Sequence, residues 1–222
     1  MANILVVAPH PDDETLGCGA TLLKHKAAGD TIFWAIVTQA TEALGYGKDK
    51  LETRDREIET VSKDYGFKQV FRLGFTTTQL DMVGKGELVN AFSTVFKQAE
   101  PNICYLPFPG DAHSDHLACF DAAMAMCKWF RYPSVKQVLV YETLSETHMK
   151  PAPWQGGFQP NYYADVSAHM DQKIAIMKRY EGEMGMFPFP RSEETIRALA
   201  TVRGSECGAK AAEAFMLLKQ VW

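Results

Sequence analysis

The feature that most constrains this chain is an apolar run near its start that leads directly into a cluster of ionisable side chains. Residues 4–8 are all apolar and mostly β-branched, without polar alternation. Such a run indicates a strand that is buried on both faces, as in a parallel sheet. Pro9 ends the run, and four ionisable side chains follow within residues 10–14. Because ligands of open α/β sheets bind at the carboxyl ends of the strands, this cluster marks a candidate site.

The rest of the chain alternates between strand-like and helix-like segments. Strands are predicted over 4–8, 31–37, 68–73, 102–106, 136–141 and 161–166, and helices over 16–28, 49–65, 87–99, 115–129, 168–180 and 192–202. The pattern of residues 212–221 does not decide between strand and helix. Strand–helix–strand spacing implies parallel pairing with right-handed crossovers. The sequence therefore predicts an α/β fold, a mostly parallel sheet flanked by helices, in a single domain over 1–222.

Composition argues against several classes of protein. The net charge of the 222 residues is −4 and they contain no basic block, so nucleic acids and anionic membranes are not expected partners. No apolar run approaches the ~20 residues of a membrane span, and the N-terminus lacks the features of a secretory signal. The five cysteines form no CxxC pair, so we expect a reduced, cytoplasmic protein. Homo-oligomerisation is compatible with the sequence.

A second polar cluster follows the predicted fourth strand. The proline-rich turn after residue 106 carries Asp111, His113, Asp115 and His116, so two of the six histidines fall within four residues. The simplest alternative is helix capping, since Ser114 can cap the predicted helix 115–129. For the first cluster, the simplest alternative is a polar turn that complements the dipole of a helix N-terminus. Both clusters nevertheless occupy the same topological position, at the carboxyl end of a buried strand.

Two clusters at one sheet edge can together form a metal site. His10, Asp13 and His116 would provide three protein ligands, and three ligands leave a position open for water, as in catalytic zinc sites. Zinc at such a site makes water more acidic and so supplies a nucleophile at neutral pH. The expected ion is Zn2+, with Fe2+ or another divalent ion as the alternative, because His-carboxylate sites accept several metals.

The neighbouring side chains then have expected catalytic roles. Asp12 is adjacent to a ligand and free to accept the proton of the water as general base. His113 would stabilise an oxyanion or deliver a proton to a leaving amine, and Asp115 would orient or charge-stabilise that imidazole. The assembly suits attack of water on an amide or ester carbonyl.

Together these motifs resemble the PIG-L/LmbE-like family of zinc-dependent de-N-acetylases. The resemblance rests on Pro9-His10-Pro11-Asp12-Asp13-Glu14 and His113-Ser114-Asp115-His116, with weaker matches at 14–22, Arg54 with Glu57, 141–145, Arg203-Gly204 and 212–215. It implies the same ligands and the same roles for Asp12, His113 and Asp115. Two departures are Ala20, where glycine is common, and residues 180–183, where relatives usually have Tyr-x-Ser followed by Gln or Glu.

The resemblance also implies a Rossmann-like fold and an N-acetylglucosamine conjugate as the small-molecule substrate. Arg54 and Asp81 resemble family positions that contact the sugar; the ordinary alternative for Arg54 is an ion pair with Glu57 on the same helix. The segment 142–159 has no clean periodicity and is predicted to border the site. Its Trp154 would stack on the sugar, or else pack only within its own loop.

Three functions compete at this point. The first is a metal-dependent hydrolase that removes acetyl from an N-acetylated amino sugar. The second is a zinc esterase or another amidohydrolase on the same site. The third is a non-catalytic sugar- or nucleotide-binding module, although acids stand where a dinucleotide fold would place its glycine-rich loop.

Overall fold

A computed structural model of the chain describes residues 1–150 and 156–222. Within these residues the strands form one seven-stranded sheet in the order β3-β2-β1-β4-β5-β7-β6. The strands are β1 (Asn3–Ala8), β2 (Thr31–Gln39), β3 (Gln69–Thr76), β4 (Ile103–Pro107), β5 (Gln137–Tyr141), β6 (Tyr162–Asp165) and β7 (Ala212–Gln220). All neighbouring strands from β3 to β5 pair in parallel, whereas β7 runs antiparallel to both β5 and β6. The prediction of a mostly parallel α/β sheet is confirmed.

Helices cover both faces of the sheet. They are α1 (Asp13–Ala27), α2 (Lys48–Tyr65), α3 (Lys85–Ala99), α4 (Ser114–Met124), α5 (Met170–Met177) and α6 (Glu193–Cys207). Apolar residues of α1, α2, α5 and α6 pack in one core, and those of α3 and α4 pack in the other. Ile4 and Val6 of β1 enter the first core while Leu5 and Val7 enter the second, which explains the uninterrupted apolar run. Among the described helices, we find none with the length and apolar character needed to cross a bilayer.

The strand order places the two polar clusters side by side. From β1 the chain proceeds to β2 and β3 on one side of the sheet, and it later returns to β4 on the other side of β1. The connections that leave β1 and β4 therefore run to opposite faces, where α1 and α4 lie. This reversal is the switch point of a doubly wound sheet, where a crevice opens at the carboxyl ends of the strands.

The structure decides one open element and moves the ends of two predicted helices. The segment 212–221, which the sequence left undecided, contains β7, Ala212–Gln220. The sixth predicted helix continues to Cys207 rather than ending at 202, and Gly208 ends it in a left-handed conformation with φ 80°. The predicted helix 115–129 stops at Met124 and continues only as a 3-10 turn to Cys127. Beyond that turn, Trp129 and Phe130 are exposed and offer no buried face to extend the helix.

Close packing behind the first cluster yields a test of the fold. A Cβ at Gly17 of α1 would lie 2.1 Å from Cδ2 of Tyr141, whose hydroxyl donates to Val7 O at 2.8 Å and so fixes the ring. We expect Gly17→Ala to lower the free energy of unfolding by about 1–3 kcal/mol, as overpacked cores do. Urea denaturation measures the change. Gly86→Ala in α3, where a Cβ meets nothing within 4 Å, is the control; equal stability of the two variants would contradict the packing.

Candidate metal centre and active site

The turn after β1 holds Asp12 in an unusual backbone conformation. Its φ of 134° is in a region that non-glycine residues rarely adopt, which costs about 1–3 kcal/mol. The Asp12 N–H donates to Glu14 Oε2 at 3.1 Å, and Glu14 Oε1 in turn accepts from Thr15 Oγ1 at 2.6 Å and from the Tyr180 hydroxyl at 2.7 Å. The Glu14 side chain is fully buried. Glu14 thus ties the strained turn to the core, and the direction of the Asp12 side chain is fixed with it.

The turn after β4 ends at the N-terminus of α4. The cap of this helix is His113 rather than Ser114: the helix begins at Ser114, and His113 Nδ1 accepts the backbone N–H of Asp115 at 3.2 Å. The first turn of α4 carries Asp115 and His116, and both side chains are buried. The residues of the second polar cluster therefore also cap the helix, so helix capping does not exclude a functional site.

The structure brings the three predicted ligands together. Asp13 Oδ2 lies 3.2 Å from His10 Nδ1 and 3.4 Å from His116 Nε2. One nitrogen or oxygen of each residue lies within 4.8 Å of the others. His10 comes from the turn after β1, Asp13 from the first turn of α1 and His116 from α4, so the site joins both faces of the sheet.

The hydrogen bonds behind the two imidazoles test whether these residues fit a metal. His10 Nε2 lies 3.1 Å from Asp115 Oδ2, and His116 Nδ1 lies 2.7 Å from Asp111 Oδ2. Each carboxylate accepts a hydrogen bond from the ring N–H on its side, so the other ring nitrogens, His10 Nδ1 and His116 Nε2, direct their lone pairs towards Asp13. Among the described residues, His116 Nε2 is buried without a hydrogen-bond partner. Three electron-rich atoms that face one another suit a divalent cation.

In the metal-free protein, protons supply the positive charge that this arrangement needs. Burial opposes the charged form of His10, but hydrogen bonds to Asp115 and Asp13 raise its pKa to about 9. Burial likewise opposes the charge of His116, but Asp13 and Asp111 raise its pKa to about 10. Burial alone would raise the pKa of Asp13, yet both histidines hold it well below its usual range. A metal that binds here would displace the ring protons.

A second grouping of possible ligands overlaps the first. His10, His113 and Asp115 also have ligand atoms within 4.8 Å of one another. The Asp115 carboxylate, however, already accepts the N–H groups of Thr78 at 2.8 Å and Leu80 at 3.2 Å in addition to its contact with His10. Because these atoms have protein partners while His116 Nε2 has none among the described residues, the first grouping fits a metal better.

Asp12 lies beside the three ligands without belonging to them. It is buried, and Arg191 Nη1 lies 3.7 Å from its Oδ2. Burial, followed by the negative charges of Asp13 and Glu183, raises the pKa of Asp12 well above its usual range, against the opposing charges of Arg191 and His10. The carboxylate can therefore accept a proton inside the site.

His113 and Asp115 are neighbours, but they are not linked in the expected way. The Asp115 carboxylate lies 3.8 Å from His113 Nδ1, and its close contacts go to His10 and two backbone N–H groups instead. Burial and the charge of His10 lower the pKa of His113. With Nδ1 accepting a backbone N–H, His113 is a neutral imidazole that carries its proton on Nε2.

Arg54 lies at the border of the site rather than on an open helix surface. Its guanidinium forms ion pairs with Glu57, at 3.3 Å, and with Glu183, and it donates to Pro11 O at 3.3 Å. The pair with Glu57 considered from the sequence is therefore present, together with a contact to the turn that carries Asp12.

The other two predicted substrate contacts are less defined. Asp81 is exposed in the 3-10 turn Leu80–Met82, next to the backbone N–H that binds Asp115. Trp154 lies outside the described residues. Within its segment, residues 142–150 border the site: Thr147 Oγ1 donates to Asp111 Oδ1 at 2.5 Å, and Lys150 Nζ donates to Asp111 O at 3.1 Å.

Sequence reasoning assigned no role to several residues of the site. Asp111 belongs to the second cluster, and an acid five residues before a ligand histidine could have been identified as its hydrogen-bond partner. No comparable sequence spacing identifies Glu183 and Arg191. Arg191 bonds to Glu183 at 2.9 Å and reaches Asp12 from a proline-rich segment about 180 residues away in sequence, and no local pattern predicts that contact.

Comparison with known proteins identifies relatives of this chain. A family model described as PIG-L, GlcNAc-PI de-N-acetylase, matches residues 5–127. The uncharacterized deacetylase YaiS of Escherichia coli is 28% identical over 81% of this chain and 90% of its own length. The diacetylchitobiose deacetylase of Thermococcus kodakarensis is 23% identical over 95% of this chain and 81% of its own.

A solved structure shares the fold of this chain. The conserved protein TT1542 from Thermus thermophilus matches with a TM-score of 0.79 and 26% identity, over 100% of this chain and 97% of its own. Since the family model spans more than half of the 222 residues and includes both polar clusters, this chain belongs to the PIG-L family of de-N-acetylases.

Proposed function

We propose that this protein is a metal-dependent hydrolase that removes the N-acetyl group from an N-acetylated amino sugar, of the N-acetylglucosamine type. The observation that carries the proposal is the pair of inward-facing imidazole lone pairs of His10 and His116 around Asp13, with Asp12 buried beside them but outside the ligand set. A metal held by His10, Asp13 and His116, zinc in the first instance, would supply Lewis acidity that activates water and polarises the acetyl carbonyl.

Asp12 is proposed as the general base. Its carboxylate is held next to Asp13 by the turn that Glu14 fixes, so it is placed to accept a proton from water near the three ligands. Arg191 Nη1, 3.7 Å away, orients the carboxylate and balances its charge. The proton that Asp12 gains can then pass to the leaving amine.

His113 is proposed to bind the developing oxyanion. Its Nδ1 lone pair is occupied by the Asp115 N–H, so Nε2 carries the proton and can donate it in a hydrogen bond. The side chain is 26% exposed, which leaves it accessible to substrate. In this role Asp115 acts on His113 through its backbone and on His10 through its carboxylate.

The proposed substrate class is supported by a relative. Diacetylchitobiose deacetylase, which covers nearly the whole chain, acts on an N-acetylated sugar by its name. We propose that Arg54, Asp81 and Trp154 contact the sugar. A cytoplasmic location stays a prediction.

The test is hydrolysis of a panel of acetylated sugars by metal-loaded protein. Acetate and free amine should appear in equal amounts from N,N'-diacetylchitobiose or other N-acetylglucosaminides, and not after chelation of the metal. Release of acetate only from O-acetyl sugars would support the esterase instead, whereas tight sugar binding without acetate release would support a binding module.

Asp12 can be tested by a nearly isosteric change. Asp12→Asn should keep the fold and the metal but lower kcat by about 10²–10⁴-fold, because an amide cannot accept the proton of water. Steady-state kinetics and metal analysis of the same sample measure both properties. Asp171→Asn, an exposed aspartate paired with Arg197, is the matched control. Loss of metal with normal turnover after reconstitution would show that the roles of Asp12 and Asp13 are exchanged.

Asp111 is predicted to set metal affinity without binding the metal. Asp111→Asn should weaken zinc binding by about 10–100-fold, since it removes the carboxylate that orients and polarises His116. Competition with a chromophoric chelator gives the dissociation constant. Asp121→Asn, an exposed aspartate of the same helix region, should bind zinc as the wild type does. Unchanged affinity of Asp111→Asn would contradict the claim that the Asp111 carboxylate tunes His116.

A further inference from the structure

The helix that carries Asp13 is broken in the middle. Cys18 of α1 has φ −143° and ψ 20°, which is not helical, and the helix continues on the other side of this residue. In an unbroken helix the Ala20 N–H would donate to Leu16 O. Here it donates to Glu213 Oε1 at 3.0 Å, and the next N–H, of Thr21, donates to Glu213 Oε2 at 2.7 Å. A carboxylate from β7 thus caps the second half of α1.

A lysine donates to the carbonyl that the broken helix leaves without its usual N–H donor. Lys173 Nζ, from α5, donates to Leu16 O at 2.8 Å and to Glu213 Oε1 at 2.7 Å. The carbonyl and the N–H that would have bonded to each other are therefore bridged by an ion pair. Both side chains are 5% exposed, and they come from elements that follow α1 by about 150 and 190 residues. A side chain inserted into the hydrogen-bond ladder is a recognised cause of a helix kink.

The kink allows the two halves of α1 to run in different directions. Helix α1 packs against α5 and the sheet, while its first turn must bring Asp13 Oδ2 to within 3.4 Å of His116 Nε2. Glycines at 17 and 19 let this region approach its neighbours closely: a Cβ on Gly19 would lie 2.4 Å from the Tyr65 hydroxyl. A straight helix through the same second half would direct its first turn elsewhere.

We propose that the buried pair Lys173–Glu213 is a positioning device for the active site: by bridging the break in α1, it sets the direction of the turn that carries Asp12 and Asp13. Both are positioning residues that act through α1. The inference rests on the proposed function, because metal binding by Asp13 is its readout.

The alternative is that the pair only contributes to stability. The two roles can be separated because replacing both members of a buried ion pair with apolar residues of similar volume is often neutral or stabilising, whereas removing one member leaves an unpaired buried charge. The double variant Lys173→Met/Glu213→Leu should therefore fold while losing all three hydrogen bonds from the pair to the broken helix. A purely structural role predicts that its metal affinity does not change.

The experiment measures zinc affinity by chelator competition, with thermal unfolding of the same samples. We expect the double variant to unfold cooperatively but to bind zinc about 10–100-fold more weakly, the range seen when the support of a metal ligand is removed. Lys178→Met/Glu193→Leu, which removes a surface pair with a 2.6 Å contact, should leave zinc affinity unchanged. Phe96→Leu, in the core on the opposite face, should lower the unfolding temperature without changing zinc affinity.

The outcomes separate the inference from the proposed function. Zinc binding by the double variant equal to that of the wild type would overturn the inference and leave the proposed function intact. Failure of the wild type itself to bind a divalent ion would overturn both. If the double variant does not fold, the single variant Glu213→Gln replaces it, because its amide oxygen can still accept one N–H. Weaker zinc binding by Glu213→Gln than by Phe96→Leu supports the inference. Equal zinc binding by these two variants overturns it.

Discussion

The site depends on one electrostatic constraint, the meeting of a buried carboxylate oxygen with two imidazole lone pairs. Asp13 Oδ2 faces His10 and His116 at 3.2 and 3.4 Å; Asp13 and His116 are buried and His10 is partly exposed, so water screens the charge only weakly. Such an arrangement is stable only with a positive charge at its centre, whether protons or a metal ion. The carboxylates of Asp111 and Asp115 strengthen the requirement because they hold both rings in the orientation that faces inward.

The fold meets this constraint through elements that are far apart in sequence. The reversal of strand order between β1 and β4 brings the two clusters to the same crevice. Asp111 and Asp115 are anchored in turn by Thr147 beyond β5 and by backbone N–H groups of the turn beyond β3. The segments that follow four strands thus contribute to one network, and hydrogen bonds hold its side chains in place.

The sequence predicted the features that depend on local pattern. The sheet type follows from the buried run 4–8 and the strand–helix alternation, and the two clusters follow from their places after buried strands. It could not predict that Asp115 contacts His10 instead of the His113 ring, because adjacency in sequence does not determine which way a carboxylate turns within a helix N-terminus. Contacts between distant segments determine three further features, which no sequence periodicity predicts. These are the antiparallel direction of β7, the break in α1 and the contact between Arg191 and Asp12.

Anomalous diffraction from crystals of the zinc-loaded protein tests the central claim most directly, because two overlapping sets of ligands compete for the ion. The account predicts one zinc peak bonded to His10 Nδ1, Asp13 Oδ2 and His116 Nε2, at about 2.0–2.2 Å from each. A peak bonded to His10, His113 and Asp115, or no peak near Asp13, would contradict it.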